Sequence, residues 1–174
     1  MTLFEKARLK YRPKVIKYLF IAEAPPKINS LRFFYFENVD KYDSLFLETI
    51  KCFYPEEVKD IDTPTIRKRK AKFLEKLKAD GFYLIDSVDE PFERKPTPKQ
   101  KEKIIRHEQP QLLSKVKSLC CSETKIVLVA ATVFNSNYKY LLENGVNVIN
   151  KGMIDFPGSG GQRKFKEKIM NLLN

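Results

Sequence analysis

Between Lys17 and Pro26 the chain reads Lys-Tyr-Leu-Phe-Ile-Ala-Glu-Ala-Pro-Pro, and no other run limits its own structure so tightly. Tyr18 to Ala22 are five consecutive apolar residues, the pattern of a short strand covered on both faces, as in a parallel sheet. The run halts at Glu23 and two prolines. Proline donates nothing to a ladder and fixes its own φ, so the backbone must leave the sheet there. An acid at the carboxyl end of a central parallel strand stands where open α/β sheets bind ligands. It is equally where a solvated strand end would put one.

The remaining segments alternate helix and strand. Thr2 and Glu5 form a capping box for a helix carrying Leu3, Phe4 and Ala7. Asp40 or Asp43 caps a helix with Tyr42, Leu45, Phe46, Ile50 and Phe53 at helical spacing, ended by Pro55. Thr63-Pro64 opens another, with Ile66, Phe73, Leu74 and Leu77 inside and Gly81 as its stop. Gly81 to Asp89 reads as a second strand that ends in acids. Thr97-Pro98 opens a long basic helix that Pro110 kinks or splits, and Lys125 to Ala131 is a central strand. A short helix over Asn137 to Glu143, a last strand over Val146 to Ile149 and a closing helix with Phe165, Ile169, Leu172 and Leu173 complete the order.

Four strands between helices, without an internal repeat, predict an α/β fold in one domain over residues 1–174. The expected form is a three-layer α/β/α sandwich on a central, mostly parallel four-stranded sheet. Right-handed crossovers then bring every carboxyl strand end to one edge. Glu23, Asp86, the loop after Ala131 and the glycine loop 158–161 are expected to meet there.

Charge narrows the partners. Thirty-three Lys and Arg against 22 Asp and Glu give +11, a surplus suited to nucleic acid. The cations concentrate in 67–78 and 94–106, either as solvated helix faces or along phosphates. Three cysteines, two of them adjacent (Cys120 and Cys121, with Cys52 apart), suit neither a disulfide framework nor a metal knuckle. An intracellular, cytoplasmic setting is expected, with no cofactor, no metal or iron–sulfur cluster, no membrane association and a monomeric state. The only histidine, His107, lies between Arg106 and Glu108 on the basic helix and is read as a surface residue.

Two further stretches carry chemistry. Phe33-Phe34-Tyr35-Phe36 follows Arg32, and four consecutive aromatics cannot all enter one core from one side. They form either a packing corner or, in part, the wall of a cleft. Gly158-Ser159-Gly160-Gly161-Gln162-Arg163 runs into the last helix. Glycines can take φ > 0 and let a ligand approach, and a helix start presents free N–H groups to an anion. Ser159, Gly160, Gly161, Gln162 and Arg163 are therefore a candidate phosphate seat. The alternative is a turn that only reverses the chain.

Taken in order, these pieces resemble the uracil-DNA glycosylase superfamily, above all its thermophilic-type branches. Those follow their first strand with Gly-Glu-Ala-Pro-Gly, where this chain has Ala22-Glu23-Ala24-Pro25-Pro26. Their aromatic stacking loop corresponds to Phe33–Phe36. Their polar base reader at the second strand end, usually Asn, corresponds to Asp86, followed by Ser87. Their His-Pro-Ser-Pro-type loop corresponds to Phe156-Pro157-Gly158-Ser159. The chain departs from the pattern at Ala22 and Pro26 for glycine, at Phe156 for the catalytic-loop histidine, and at Gly160 for a duplex-wedging leucine. Its three cysteines fall short of the four that hold the branch's iron–sulfur cluster.

The resemblance implies a protein that binds nucleic acid, DNA ahead of RNA, and excises a modified or deaminated base by hydrolysing its N-glycosidic bond. Such chemistry needs a stacking wall, an edge reader and charge stabilisation for the leaving base. Phe34 or Tyr35, with Phe156, would supply the wall, and Asp86 and Ser87 the reader. Glu23 and Asp86 are the candidates for orienting water. An ionised Asp accepts but does not donate, which points from uracil toward an amino-bearing base. Two other functions stay open: a non-catalytic nucleic-acid-binding module, and an enzyme acting on a free nucleotide or nucleoside.

Overall fold

The computed structural model describes all 174 residues. Three strands, β1 (Tyr18–Ala22), β2 (Phe82–Asp86) and β3 (Lys125–Leu128), form a parallel sheet in the order β2-β1-β3. The central position goes to β1, whose Leu19, Phe20 and Ile21 have no solvent exposure. Every residue of β2 is buried as well. Continuous apolar runs were the signal for strands covered on both faces, and covered on both faces they are.

Nine helices surround the sheet: α1 (Leu3–Lys10), α2 (Ser44–Phe53), α3 (Pro55–Val58), α4 (Thr63–Lys68), α5 (Lys70–Ala79), α6 (Pro98–His107), α7 (Gln109–Leu119), α8 (Ala131–Glu143) and α9 (Gln162–Leu173). The Thr2–Glu5 capping box is formed at α1, and Thr97 with Gln100 forms a second at α6. Pro110 splits the long basic helix into α6 and α7 by standing in the first turn of the second piece. The helix after Thr63-Pro64 is also broken, at Arg69, and it is Asp62 that caps it, accepting from Thr65 N. Gly81, at φ 85, terminates α5; a Cβ there would lie 2.8 Å from Lys17 Cγ. Packing pairs α2 with α9 and α6 with α8.

The expected fourth strand is not formed. Val146 to Ile149 contributes a single bridge, Val148 to Ile126, and Ile154 bridges Val129. Asn150 explains the interruption. Its side-chain Oδ1 accepts from Leu128 N at 2.9 Å, and its Nδ2 donates to Leu128 O at 3.2 Å. The amide thus occupies the backbone groups that a continuing strand would pair. The outer edge of β3 is satisfied piecemeal, as buried backbone groups must be. Helix α8 also begins earlier than the expected Asn137. It starts at Ala131, directly after Ala130, which turns the chain off β3 at φ 81. Such a conformation is rare for a residue with a Cβ.

Candidate functional site

The parallel register sets Ala22 opposite Asp86, and Val88 N donates to Glu23 O at 3.0 Å. The acids that end β1 and β2 therefore stand on adjacent strand ends at one edge. A cleft of about 270 Å³ opens there, lined by Glu23, Asp86, Phe34 and Phe156 together with Phe33, Arg32, Tyr42 and Asp43. Glu23, Phe34, Asp86 and Phe156 are thus brought together from four separate parts of the sequence.

Asp86 is 3% exposed and pairs with Arg8, whose NH2 group donates to Oδ2 at 2.6 Å. Burial pushes its carboxyl up to about 6, against the opposing pull of the guanidinium. Arg8 is buried too, reaches across from α1, and holds its cation 5.4 Å from the Phe33 ring centre. No hydrogen bond from within the chain reaches Asp86 Oδ1, and Asp86 is among the residues that line the cleft. Glu23 is engaged at both oxygens. Lys101 of α6 donates to Oε2 at 2.8 Å, and Thr132 in the first turn of α8 donates to Oε1. Three helices and two strands fix the two carboxylates.

The aromatic loop divides between two roles. Phe33, Phe34 and Tyr35 are all buried, so most of their surface belongs to the core. Tyr35 faces inward, where its hydroxyl donates to Leu84 O at 3.2 Å and accepts from Leu84 N at 2.7 Å. It is not among the cleft residues; Phe34 is. Phe156 contrasts with them at 49% exposed. Ser87 likewise turns inward, accepting from Asn137 Nδ2 at 3.2 Å.

Residues 158–161 stand next to the cleft through Phe156 without lining it. Gly160 is at φ 81, and a Cβ on Gly161 would lie 2.2 Å from Phe156 O. The second glycine is therefore required for the chain to fold back against Phe156, whatever else the loop does. Ser159 is exposed, Gln162 half-buried, and Arg163 donates to Glu167 one turn along α9 at 2.8 Å.

Sequence reasoning missed the other half of the rim. Tyr42 was assigned to the inner side of α2, yet it precedes the helix, is 66% exposed and sits at φ 60. The cause is Asp43. It occupies the N-cap position of α2 but makes no capping bond. Its Oδ1 accepts instead from Arg67 Nε at 2.8 Å, and Lys70 Nζ lies 3.7 Å from Oδ2. Lys70 has no solvent exposure and rests 4.5 Å from the Phe46 ring centre, and burial pushes its ammonium down to about 8. Tyr42 is held above this buried charge cluster with the Arg32 guanidinium 4.9 Å from its ring centre. Tyr42 is one of three non-glycine residues at positive φ, with Leu31 and Ala130, and periodicity could not reveal it.

No group of three or more His, Cys, Asp or Glu side chains is placed to hold a metal ion. No helix is long and apolar enough to cross a membrane. Neither a family model nor a curated relative matches the sequence.

Proposed function

We propose that the cleft binds a nucleobase of a nucleic acid and that the protein is a divergent DNA-glycosylase-like enzyme hydrolysing the N-glycosidic bond of an altered base. The observation that carries this is the distribution of exposed aromatics. Among the large exposed apolar side chains only Tyr42 and Phe156 are aromatic, and both border the cleft that holds Glu23 and Asp86. A flat, polar-edged ligand fits such a site. Its faces would contact Phe34 and Phe156, and its edge would meet Asp86 Oδ1.

The chemistry follows from the two carboxylates. Asp86, its carboxyl pushed up to about 6 by burial, accepts from an exocyclic amine when ionised and donates to a carbonyl when protonated. Glu23, anchored by Lys101 and Thr132, would place negative charge beside an oxocarbenium-like sugar or orient the attacking water. With Phe156 in place of a histidine, charge on the departing base would be met by Arg32, the cation lining the cleft. The same reading takes α2 with α9 and α6 with α8 as two helical layers on a central sheet. It takes DNA ahead of RNA as the partner, and a cytoplasmic monomer.

One observation favours a second function, a non-catalytic nucleic-acid-binding module. Both oxygens of Glu23 already accept, from Lys101 and from Thr132, so the carboxylate is as well placed to anchor α6 and α8 as to hold a water on a remaining lone pair. A panel of single-stranded and duplex oligonucleotides carrying uracil, hypoxanthine or xanthine, scored for abasic sites, separates the two. Abasic product lost in Glu23→Gln supports the enzyme; tight binding with no product from any substrate supports the module.

A further inference from the structure

We infer that the partner of this cleft is a single strand of nucleic acid, lying across two basic flanks with unpaired bases stacked on Tyr42 and Phe156. This rests on the nucleobase reading above and goes on to name the strand state and its path. Each flank is joined to the cleft by an ion pair. On one side Lys101 of α6 reaches Glu23, and nearby lies a groove lined by Phe92, by the cations Arg94, Lys95 and Lys103, and by the acids Glu90 and Glu93. On the other side Arg67 of α4 reaches Asp43, and with it Lys41 and Lys68 border a second groove that also holds Glu37 and Asp40, a surplus of one cation.

The ends of these flanks are free to act. Lys95, Lys103, Lys41 and Lys68 are exposed, and none joins an ion pair. In contrast, the cations at the far end of α5 are committed: Lys76 to Glu57 and Lys78 to Glu75. The cations that touch the cleft, Lys101 and Arg67, are thus paired, and the unpaired ones stand in the grooves that adjoin it. A phosphate backbone crossing from one groove to the other would meet this charge and pass over both exposed rings.

The rings decide for a single strand. Base faces are stacked within a duplex and open to aromatic side chains only when unpaired, which is how sequence-tolerant single-strand binders combine cationic tracks with aromatic platforms. Tyr42 is also held ready. Its left-handed backbone and the Arg32 guanidinium over its ring keep an aromatic exposed, supported by the buried Asp43–Lys70–Arg67 cluster. Binding to duplex would instead need a side chain to fill the gap of an extruded base. Leu31, 62% exposed and next in the chain to the cleft residue Arg32, is a side chain that would serve.

Fluorescence anisotropy with a labelled single-stranded oligonucleotide and its duplex, at several salt concentrations, tests this. The expected result is at least about tenfold tighter binding of the single strand, falling about tenfold in Phe156→Ala and in Tyr42→Asn, each loss of the size a stacked base supplies. Asn tolerates the left-handed backbone at position 42, so the fold is kept. In Lys95→Ala/Lys103→Ala the salt slope falls by roughly 1.4, from about 0.7 per single-strand phosphate contact. Equal or tighter duplex binding that depends on Leu31 and not on Tyr42 or Phe156 would overturn the single-strand inference while leaving a base-binding cleft. No binding of either form at low salt would remove the nucleobase reading itself.

Discussion

Arg8 and Asp86, 78 residues apart in the chain, meet at 2.6 Å, both more than nine-tenths buried. The first helix is thereby locked to the end of the second strand, and the cleft carboxylate is held by a residue that does not itself line the cleft. A buried ion pair is costly to half-remove, because the survivor is left charged and unpaired.

Arg8→Met and Asp86→Leu should each destabilise the protein by about 3–5 kcal/mol, the usual effect of stranding a buried charge. The double variant Arg8→Met/Asp86→Leu should recover most of that loss. Urea denaturation of all four proteins gives the coupling directly. Additive losses would mean that the pair acts as two independent groups.

The carboxyl of Asp86 is raised from 3.8 to about 6 by burial, which fixes a sign for pH. The folded state then binds the proton more tightly than the unfolded chain. The resulting stability is full below the unfolded value and is lost as pH rises through about 6. Relative to Asp86→Asn, the wild type should lose on the order of 3 kcal/mol between pH 3.5 and 7.5, about 1.4 per unit of displacement. Carboxyl carbon NMR should give a midpoint near 6 for Asp86. A midpoint at the ordinary value removes the protonated donor from the base-reading account.

Lys70 behaves in the opposite direction. Its ammonium is pushed from 10.5 to about 8 by burial, so the unfolded chain holds the proton more tightly. Stability from this residue should rise between about pH 8 and 10.5. Lys70→Met should abolish that rise, measured by chemical denaturation at pH 7 and pH 10 against wild type. Persistence of the rise in the variant would assign it to another group.

Gly161 and Gly160 should differ sharply. Gly160→Ala meets open space and suffers only its φ of 81, a cost of about 1 kcal/mol. Gly161→Ala drives a Cβ into the backbone oxygen of Phe156, so the loop must move. Thermal melts should show the larger loss at Gly161, with oligonucleotide affinity falling through displacement of Phe156. Equal melts would mean that the loop yields freely and does not fix that ring.

What was legible in the sequence was local. Thr2 with Glu5 marked a helix start because a capping box joins residues three apart, and Thr97-Pro98 marked another because proline suits the first helical position after a cap. Tyr18–Ala22 read as a covered strand because its apolar run is continuous, and the strand read over Gly81 to Asp89 forms over Phe82–Asp86. Glu23 and Asp86 reached one edge through the parallel order alone. What was hidden depended on distant side chains. Asn150 replaces a strand's backbone, so Val146–Ile149 looked like a strand and pairs only once. Asp43 is drawn from its capping role by Arg67 and Lys70, so Tyr42 kept a helical spacing without being in the helix. Arg8 carried no sign of its partner.

The central claim is that a base enters the cleft between Asp86 and Phe156. Backbone amide NMR during titration with a short single-stranded oligonucleotide addresses it most directly. The account predicts the largest shifts at Glu23, Tyr42, Asp86 and Phe156, removed by excess of the preferred free base or nucleoside. Shifts confined to the outer surfaces of α5 and α9, with those four signals unmoved at saturation, would contradict it.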